Sequence, residues 1–293
     1  MTSRPSRRAF LSGAAVGLVA LTAGCGSSGT QPTTDPTADS TAEPTPTSTT
    51  GARTAEPTPA PLSVGEQASA SGETVTVTGA QVRKIVYTPD VGSSAHMYPA
   101  GSVDSQFVVV SVTSSETPVP DLSLSLVVDG DATTDRPYRL GFSPGRDGRL
   151  AFPVPVGRAD AVGVRWTPAS DEQYQWSLPG SVTDAVSRSP AFTVDRFDVP
   201  EQFDAGERFT ADLSVSNGGD RDGRFLGVVL NQGAGSVPLV PKFAMPVPAG
   251  GSESRQVRGG MELEPFSAGS ESEMTARLDW GGEERRETFQ VTS

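Results

Sequence analysis

His96 and Cys25 are the only imidazole and the only thiol in the 293 residues. A Ser-His-Asp or Cys-His catalytic arrangement would have to use His96. A zinc site of thiolates and imidazoles needs several such side chains and is excluded. A single cysteine also excludes an internal disulfide framework. His96 lies in Thr88-Pro-Asp-Val-Gly-Ser-Ser-Ala-His-Met-Tyr-Pro-Ala-Gly101, a long segment between strand patterns. The pair His96-Met97 has the ligand types of a copper site. No second histidine supports it, and Met245, Met261 and Met274 fall far along the chain. A solvent-exposed loop histidine is the expectation, with no metal and no cofactor.

Two turns gather oxygen atoms: Asn217-Gly-Gly-Asp-Arg-Asp-Gly223 and Asp129-Gly-Asp-Ala-Thr-Thr-Asp135. Calcium needs several oxygens from one turn or two adjacent ones. Neither turn has the D-x-[DN]-x-[DN]-G-x5-E spacing, so acidic hairpin turns are expected rather than calcium loops. Carboxylate pairs for a hydrolase are abundant, but nothing singles out one pair. Trp166, Tyr174 and Trp176 stand on alternating strand positions, which reads as core packing rather than a sugar platform.

The charge balance narrows the partners. There are 23 Lys+Arg against 35 Asp+Glu, a formal net charge of −12, and only Lys84 and Lys242 are lysines. Nucleic-acid binding needs phosphates to be neutralised by Lys and Arg, so no nucleic-acid partner is expected.

The first 25 residues read as an address. Arg4, Arg7 and Arg8 make a positive start, and Ala9 to Gly24 is uncharged and mostly small or aliphatic. That run is shorter than the ~20 apolar residues of a spanning helix, so it reads as a secretory signal. Ser6-Arg7-Arg8-Ala9-Phe10-Leu11 resembles the twin-arginine export motif, with Arg7, Arg8, Phe10 and Leu11 in its fixed places. The resemblance implies export of an already folded chain. Leu21-Thr22-Ala23-Gly24-Cys25 resembles the lipobox of prokaryotic lipoproteins, although Thr22 stands where that family usually has Leu. It implies that Cys25 becomes the new N-terminus and carries lipid, making the membrane a partner. Each buried CH₂ of such a lipid holds the membrane by about 0.8 kcal/mol.

Removing this segment leaves 20 bases against 35 acids, a net −15. The diffuse acidity and the preference for Arg over Lys resemble proteins of salt-adapted archaea. Repulsion within such a chain is screened when the Debye length falls to about 3 Å at 1 M salt.

Composition changes abruptly at residue 26. Among Gly26 to Pro61 are 11 Thr, 7 Pro and 4 Ser, with no Leu, Ile, Val, Phe, Met, Tyr or Trp. A stretch with nothing to bury cannot offset the entropy of ordering, so a disordered linker is expected. As a flexible coil it reaches roughly 30 Å, and drawn toward polyproline II roughly 110 Å.

Beyond Pro61 the pattern has period two. Thr74–Thr78, Val82–Tyr87, Phe107–Thr113 and Leu122–Val128 read as strands, followed by Tyr138/Leu140/Phe142, Leu150/Phe152/Val154, Val162/Val164/Trp166 and Tyr174/Trp176/Leu178. A second set begins after Ser189-Pro190. It comprises Phe192/Val194, Phe197/Val199, Phe209/Ala211/Leu213/Val215, Leu226/Val228/Leu230, Val237/Leu239, Phe243/Met245/Val247, Met274/Ala276/Leu278/Trp280 and Phe289/Val291. Pro246 and Pro248 mark Phe243–Val247 as an edge strand. Gly281-Gly282 between two alternating runs predicts a tight hairpin. No run has helical period. The fold class is therefore all-β: two tandem immunoglobulin-like β-sandwiches after a signal and lipidation segment and a disordered Thr/Pro-rich linker. The expected boundaries are 1–25, 26–61, 62–179 and 190–293.

Gly72–Thr78, Phe107–Thr113 and Leu150-Ala-Phe-Pro-Val-Pro155 resemble the telokin-like immunoglobulin domain of prokaryotic lipoproteins, over roughly 70–178. Phe197-Asp-Val-Pro200, Ala205-Gly206-Glu207, Phe209–Ser216, Asn217-Gly-Gly-Asp220 and Pro248-Ala249-Gly250 resemble the cell-adhesion-related CARDB-like domain, over roughly 191–291. These resemblances imply a binding or spacing module with no catalytic residues. The expected function is a non-enzymatic cell-surface module with a protein or glycan partner. The alternative is a lipoprotein that senses or captures a ligand for a membrane complex, which calls for a pocket between the domains. A third reading, an envelope hydrolase, calls for a cleft with two carboxylates of separated pKa.

Overall fold

The computed structural model describes residues 60–89, 96–141, 145–170, 172–232, 241–262 and 272–292. Arg7, Arg8, Phe10, Leu11 and Cys25 lie outside the described residues, as do Phe142, Val237, Leu239 and nearly all of the expected linker.

The first half runs β1 (Leu62–Ser63), β2 (Gln67–Ala70), β3 (Glu73–Arg83), β4 (Val86–Pro89), β5 (Met97–Ala100) and β6 (Ser105–Ser114). It continues through β7 (Leu124–Val128), β8 (Asp131–Ala132), β9 (Tyr138–Arg139), β10 (Asp147–Pro155), β11 (Val162–Trp166) and β12 (Tyr174–Ser177). Two sheets result, ordered β1-β12-β11-β7-β8 and β2-β3-β6-β10-β9. Alternation decides what lies between them. Val108, Val110 and Val112 of β6 and Leu150, Phe152 and Val154 of β10 face Leu126, Val164 and Trp176 of the other sheet in one buried core. Each such side chain stabilises the half by roughly 1.5–3 kcal/mol.

The second half runs β13 (Phe192–Asp198), β14 (Gln202–Asp204), β15 (Arg208–Asn217) and β16 (Gly223–Gln232), then β17 (Lys242–Val247), β18 (Ser252–Glu262), β19 (Ser272–Trp280) and β20 (Glu283–Thr292). Its sheets are β13-β15-β18 and β14-β20-β19-β16-β17. Phenylalanines dominate its core: Phe209 stacks on Phe289 at 5.5 Å, and Phe203 meets Phe289 edge-on at 5.2 Å. In each half a short early strand pairs parallel with the last one, β1 with β12 and β14 with β20. The described chain is all-β, built as sandwiches of immunoglobulin-like character. β17 lies at a sheet edge, as Pro246 within it requires. Gly281 and Gly282 have φ of 51° and 89°, the positive values a tight hairpin between β19 and β20 demands.

Four features differ from the sequence expectation. A short helix, α1 (Gly180–Val186), follows β12 and sends Val182 and Val186 into the first core. Seven residues carry too little period to register as a helix, but an i, i+4 valine pair suffices to dock one. Tyr138 is 44% exposed, and its strand has only two residues. The expected strand Val82–Tyr87 is interrupted, because Ile85 between β3 and β4 turns into the second half's core. Finally, Phe225 and Val229 face that core, whereas Val228 and Leu230 lie on the opposite face of β16.

That opposite face is covered by the β4–β5 hairpin, in which Val86 pairs Ala100 and Tyr87 pairs Pro99. Val86 packs with Phe107, Val109 and Ala151 on the outer face of the first sandwich. Tyr87 and Tyr98 cover Val228 and Leu230 of the second. One hairpin thus contributes apolar surface to both halves, and residues 56–293 form a single unit.

Candidate functional site

The residues singled out by type alone take structural roles. His96 is half-buried just before β5, rather than solvent-exposed. Among the described residues no group of three or more His, Cys, Asp or Glu is placed to hold a metal. The Asn217–Gly223 turn commits its oxygens to the backbone. Asn217 Oδ1 accepts from the N–H of Ala191 at 2.9 Å and of Gly219 at 3.1 Å. Asp220 accepts from the Ser189 N–H, and Asp222 from the Ala249 N–H. Asp129 likewise accepts from the N–H groups of Asp160 and Ala161. Trp166 and Trp176 are core, and the Trp176 indole donates to the Glu66 carbonyl at 2.9 Å. No helix among the described residues is long and apolar enough to cross a membrane.

The distinctive chemistry gathers where the two halves meet. The Tyr87 hydroxyl lies 2.9 Å from the Gly227 carbonyl oxygen and 2.6 Å from that of Phe243, so its single O–H has two acceptors to choose from. Burial lifts this phenol from 10.0 to about 12. Arg221 crosses the other way. Its guanidinium donates to the Gln106 side-chain oxygen at 3.0 Å and the Val82 carbonyl at 3.3 Å. Gln106 is fully buried and donates in turn to the Val186 carbonyl at 2.6 Å, closing the end of α1. Gly101 lies so close to Gly281 that a Cβ on it would stand 2.9 Å from the Gly281 Cα.

Two grooves open along this junction. One of about 670 Å³ is lined by Lys84, Ile85, Val103, Val156, Phe192 and Trp280, with Asp104 and Glu283 also on its wall. Val103 is 73% exposed there. Lys84 is already committed, donating to the carbonyls of Val103 at 2.6 Å and Ser105 at 3.0 Å. The second groove, about 400 Å³, is lined by Arg83, Arg149, Arg224 and Lys242 over Val86 and Leu226. Arg83 is held below the usual arginine pKa by burial first, then by the charges of Arg224 and Arg149.

Sequence reading missed Tyr87, Arg221 and both grooves. Their partners lie more than a hundred residues away, as the 140 positions between Tyr87 and Gly227 illustrate, and no local pattern encodes such a meeting. One signal existed. Phe225-Leu-Gly-Val-Val-Leu230 is apolar on both faces, which marks a strand covered on both sides.

No protein-family model matches this chain, and no curated protein does. Among solved structures, a β-glucosidase from Listeria innocua in complex with glucose is 10% identical over 36% of this chain and 16% of that one, with a TM-score of 0.28. An alkylpurine DNA glycosylase AlkC from Pseudomonas fluorescens bound to DNA is 11% identical over 35% of this chain and 30% of that one, TM-score 0.28. An uncharacterized β-sandwich protein from Clostridium difficile 630 is 13% identical over 41% of this chain and 95% of that one, TM-score 0.27. This chain thus spans a small part of the two enzymes, and likeness at this level carries no argument about activity or partner.

Proposed function

We propose that this chain is a non-enzymatic binding module held at the extracytoplasmic face of the cell membrane. Arg7, Arg8, Phe10 and Leu11 direct twin-arginine export, and Cys25 carries the lipid. The 26–61 segment then spaces the folded unit from the bilayer. The first sandwich is telokin-like and the second CARDB-like on this reading, and the net −15 of the remaining chain suits a salty exterior. The observation that carries the proposal is positional. The single cysteine ends the apolar segment and directly precedes a stretch with no large apolar side chain.

The partner is a protein or glycan engaged by exposed loops and sheet faces, or a small ligand. The second version is favoured by the two grooves at the junction, where a ligand-capturing lipoprotein needs its pocket.

Intact mass and membrane partition of the native protein, beside Cys25→Ser, test the anchor. Loss of residues 1–24 with a lipid mass added is expected, and Cys25→Ser is expected in the aqueous phase. An unlipidated native protein in the medium would overturn the anchored reading.

A further inference from the structure

In a chain where acids outnumber bases 35 to 23, the described residues lining one groove include four cations and no carboxylate. Strand alternation puts them there. Phe107 and Ser111 share the outward face of β6, and their ladder partners are Arg83 of β3 and Arg149 of β10. Both arginines therefore project from the outer face of the first sandwich. Arg224 and Val228 share the outward face of β16, and Lys242 of β17 pairs with Val228. Arg224 and Lys242 therefore project from the outer face of the second. The β4–β5 hairpin lies against both faces and supplies Val86, Tyr87 and Met97 to the same groove.

Among the described residues none of these four cations makes an ion pair. The ion pairs formed use other arginines, namely Arg146, Arg158, Arg196, Arg277, Arg285 and Arg286. The Arg83 guanidinium donates to the Gln81 side-chain oxygen at 2.7 Å, which uses one of its five N–H groups. Arg149 and Arg224 are exposed at the mouth, and Arg83 is half-buried. Unpaired guanidiniums repel one another, and the Arg83 shift toward the neutral form reports that repulsion after burial. An oxyanion relieves it, and the planar fork of arginine matches carboxylate and phosphate oxygens in pairs. Below the charges, Val86 and Val109 are buried, and Leu140 and Leu226 add apolar wall. About 400 Å³ is the size of a small organic ligand rather than of a bare ion.

We propose that this groove binds a small organic anion, its carboxylate or phosphate held by Arg83, Arg149 and Arg224 and its apolar body laid along Val86, Val109 and Leu226. This rests on the reading of the chain as a binding module and names the ligand class of one of its two grooves.

The test is calorimetric titration of the full chain, in uncharged detergent, with phenyl phosphate, benzoate, inorganic phosphate and phenol. Phenyl phosphate or benzoate is expected to bind, and the tighter of the two identifies the headgroup. The double variant Arg149→Gln/Arg224→Gln is expected to weaken that binding at least tenfold. Both side chains are exposed, so the variant is expected to keep the parent's melting temperature. Equal affinity in parent and variant, or no binding of either organic anion, overturns the site. Phenol binding as tightly as phenyl phosphate overturns the role of the arginines. Inorganic phosphate binding as tightly as phenyl phosphate overturns the apolar half of the proposal. Membrane partition of the same samples reads the anchor separately, so a failed anion site with intact partition leaves the module reading standing.

Discussion

Arg221 and Gln106 stand 115 residues apart in sequence and 3.0 Å apart in space, joined by a guanidinium N–H and an amide oxygen. The pair ties a turn of the second sandwich to the buried centre of the first. Because Gln106 also donates to the Val186 carbonyl, the contact runs on to the helix that closes the first core. Replacing Arg221 with alanine leaves the amide oxygen of a fully buried glutamine without its donor. Such an orphan costs about 1–3 kcal/mol. Urea denaturation of Arg221→Ala is therefore expected to show an unfolding free energy lowered by that amount, with a lower midpoint. An unchanged midpoint would mean that the contact contributes nothing to the junction.

Tyr87 gives the junction an alkaline limit. Its folded pKa of about 12 lies above the ordinary 10.0. A group with a raised folded pKa contributes stability that is fully present below the unfolded value and lost as pH rises through the folded one. The loss falls between pH 10 and pH 12. Tyr87→Phe deletes both carbonyl contacts and is expected to cost about 1–2 kcal/mol at pH 7. The gap between parent and variant is then expected to shrink above pH 10. A gap constant from pH 8 to pH 11.5 in paired denaturation curves would refute the assignment.

The strands were legible in the sequence wherever one face alone was buried. Phe209, Ala211, Leu213 and Val215 read correctly, because a sandwich strand hides every second residue. The same logic misplaced Val228 and Leu230. These are apolar for a neighbour that the β4–β5 hairpin supplies, and single-strand alternation cannot tell one covered face from the other. The helix α1 escaped because two valines make no period. The candidate groove was illegible for a further reason. Arg83, Arg149 and Arg224 come from three strands in two sandwiches, and each alone looks like an ordinary outward-facing cation. Only the docking of the halves makes them a cluster.

Glu73 sets the acid limit of the first sandwich. Its carboxylate accepts from the N–H groups of Ser115, Glu116 and Thr117 and from the Ser115 hydroxyl. Burial works against the charged form, but these donors outweigh it and bring the pKa from 4.5 to about 2. A lowered folded pKa contributes stability above the unfolded value that is lost as pH falls through the folded one. The window here runs from about pH 4.5 down to pH 2. Glu73→Gln is expected to be less stable than the parent at pH 7 and to converge with it below pH 3. Parallel acid limbs in the two melting curves would count against the cluster.

Asn217 is 1% exposed, and all its polar atoms are used. Besides the two bonds at its oxygen, its Nδ2 donates to the carbonyls of Arg221 at 2.9 Å and Val247 at 3.2 Å. Asn217→Ala is expected to cost about 3 kcal/mol, the scale of a broken buried network. Millimolar calcium is expected to leave the parent's melting temperature unchanged, because the oxygens of this turn already serve backbone N–H groups. A calcium-dependent rise in melting temperature that Asn217→Ala abolishes would restore the metal reading.

A close backbone approach across the junction, between Gly101 and Gly281, offers a steric test. A methyl group at position 101 would meet the Gly281 Cα at 2.9 Å and the carbonyl oxygens of Gly281 and Lys84 at 3.3 Å. All three atoms are main chain, so no rotamer can relieve the contact. Gly281 cannot readily yield either, because its φ of 51° belongs to the tight turn between β19 and β20. Overpacking of this kind costs about 1–3 kcal/mol. Gly101→Ala is expected to lower stability by that amount and to loosen the hairpin's hold on the second sandwich. Hydrogen exchange at Val228 and Leu230, beneath Tyr87 and Tyr98, is expected to quicken more than exchange at Val110 in the first core. Uniform quickening at all three sites would mean global destabilisation instead, and would remove the hairpin as the element that clamps the two halves.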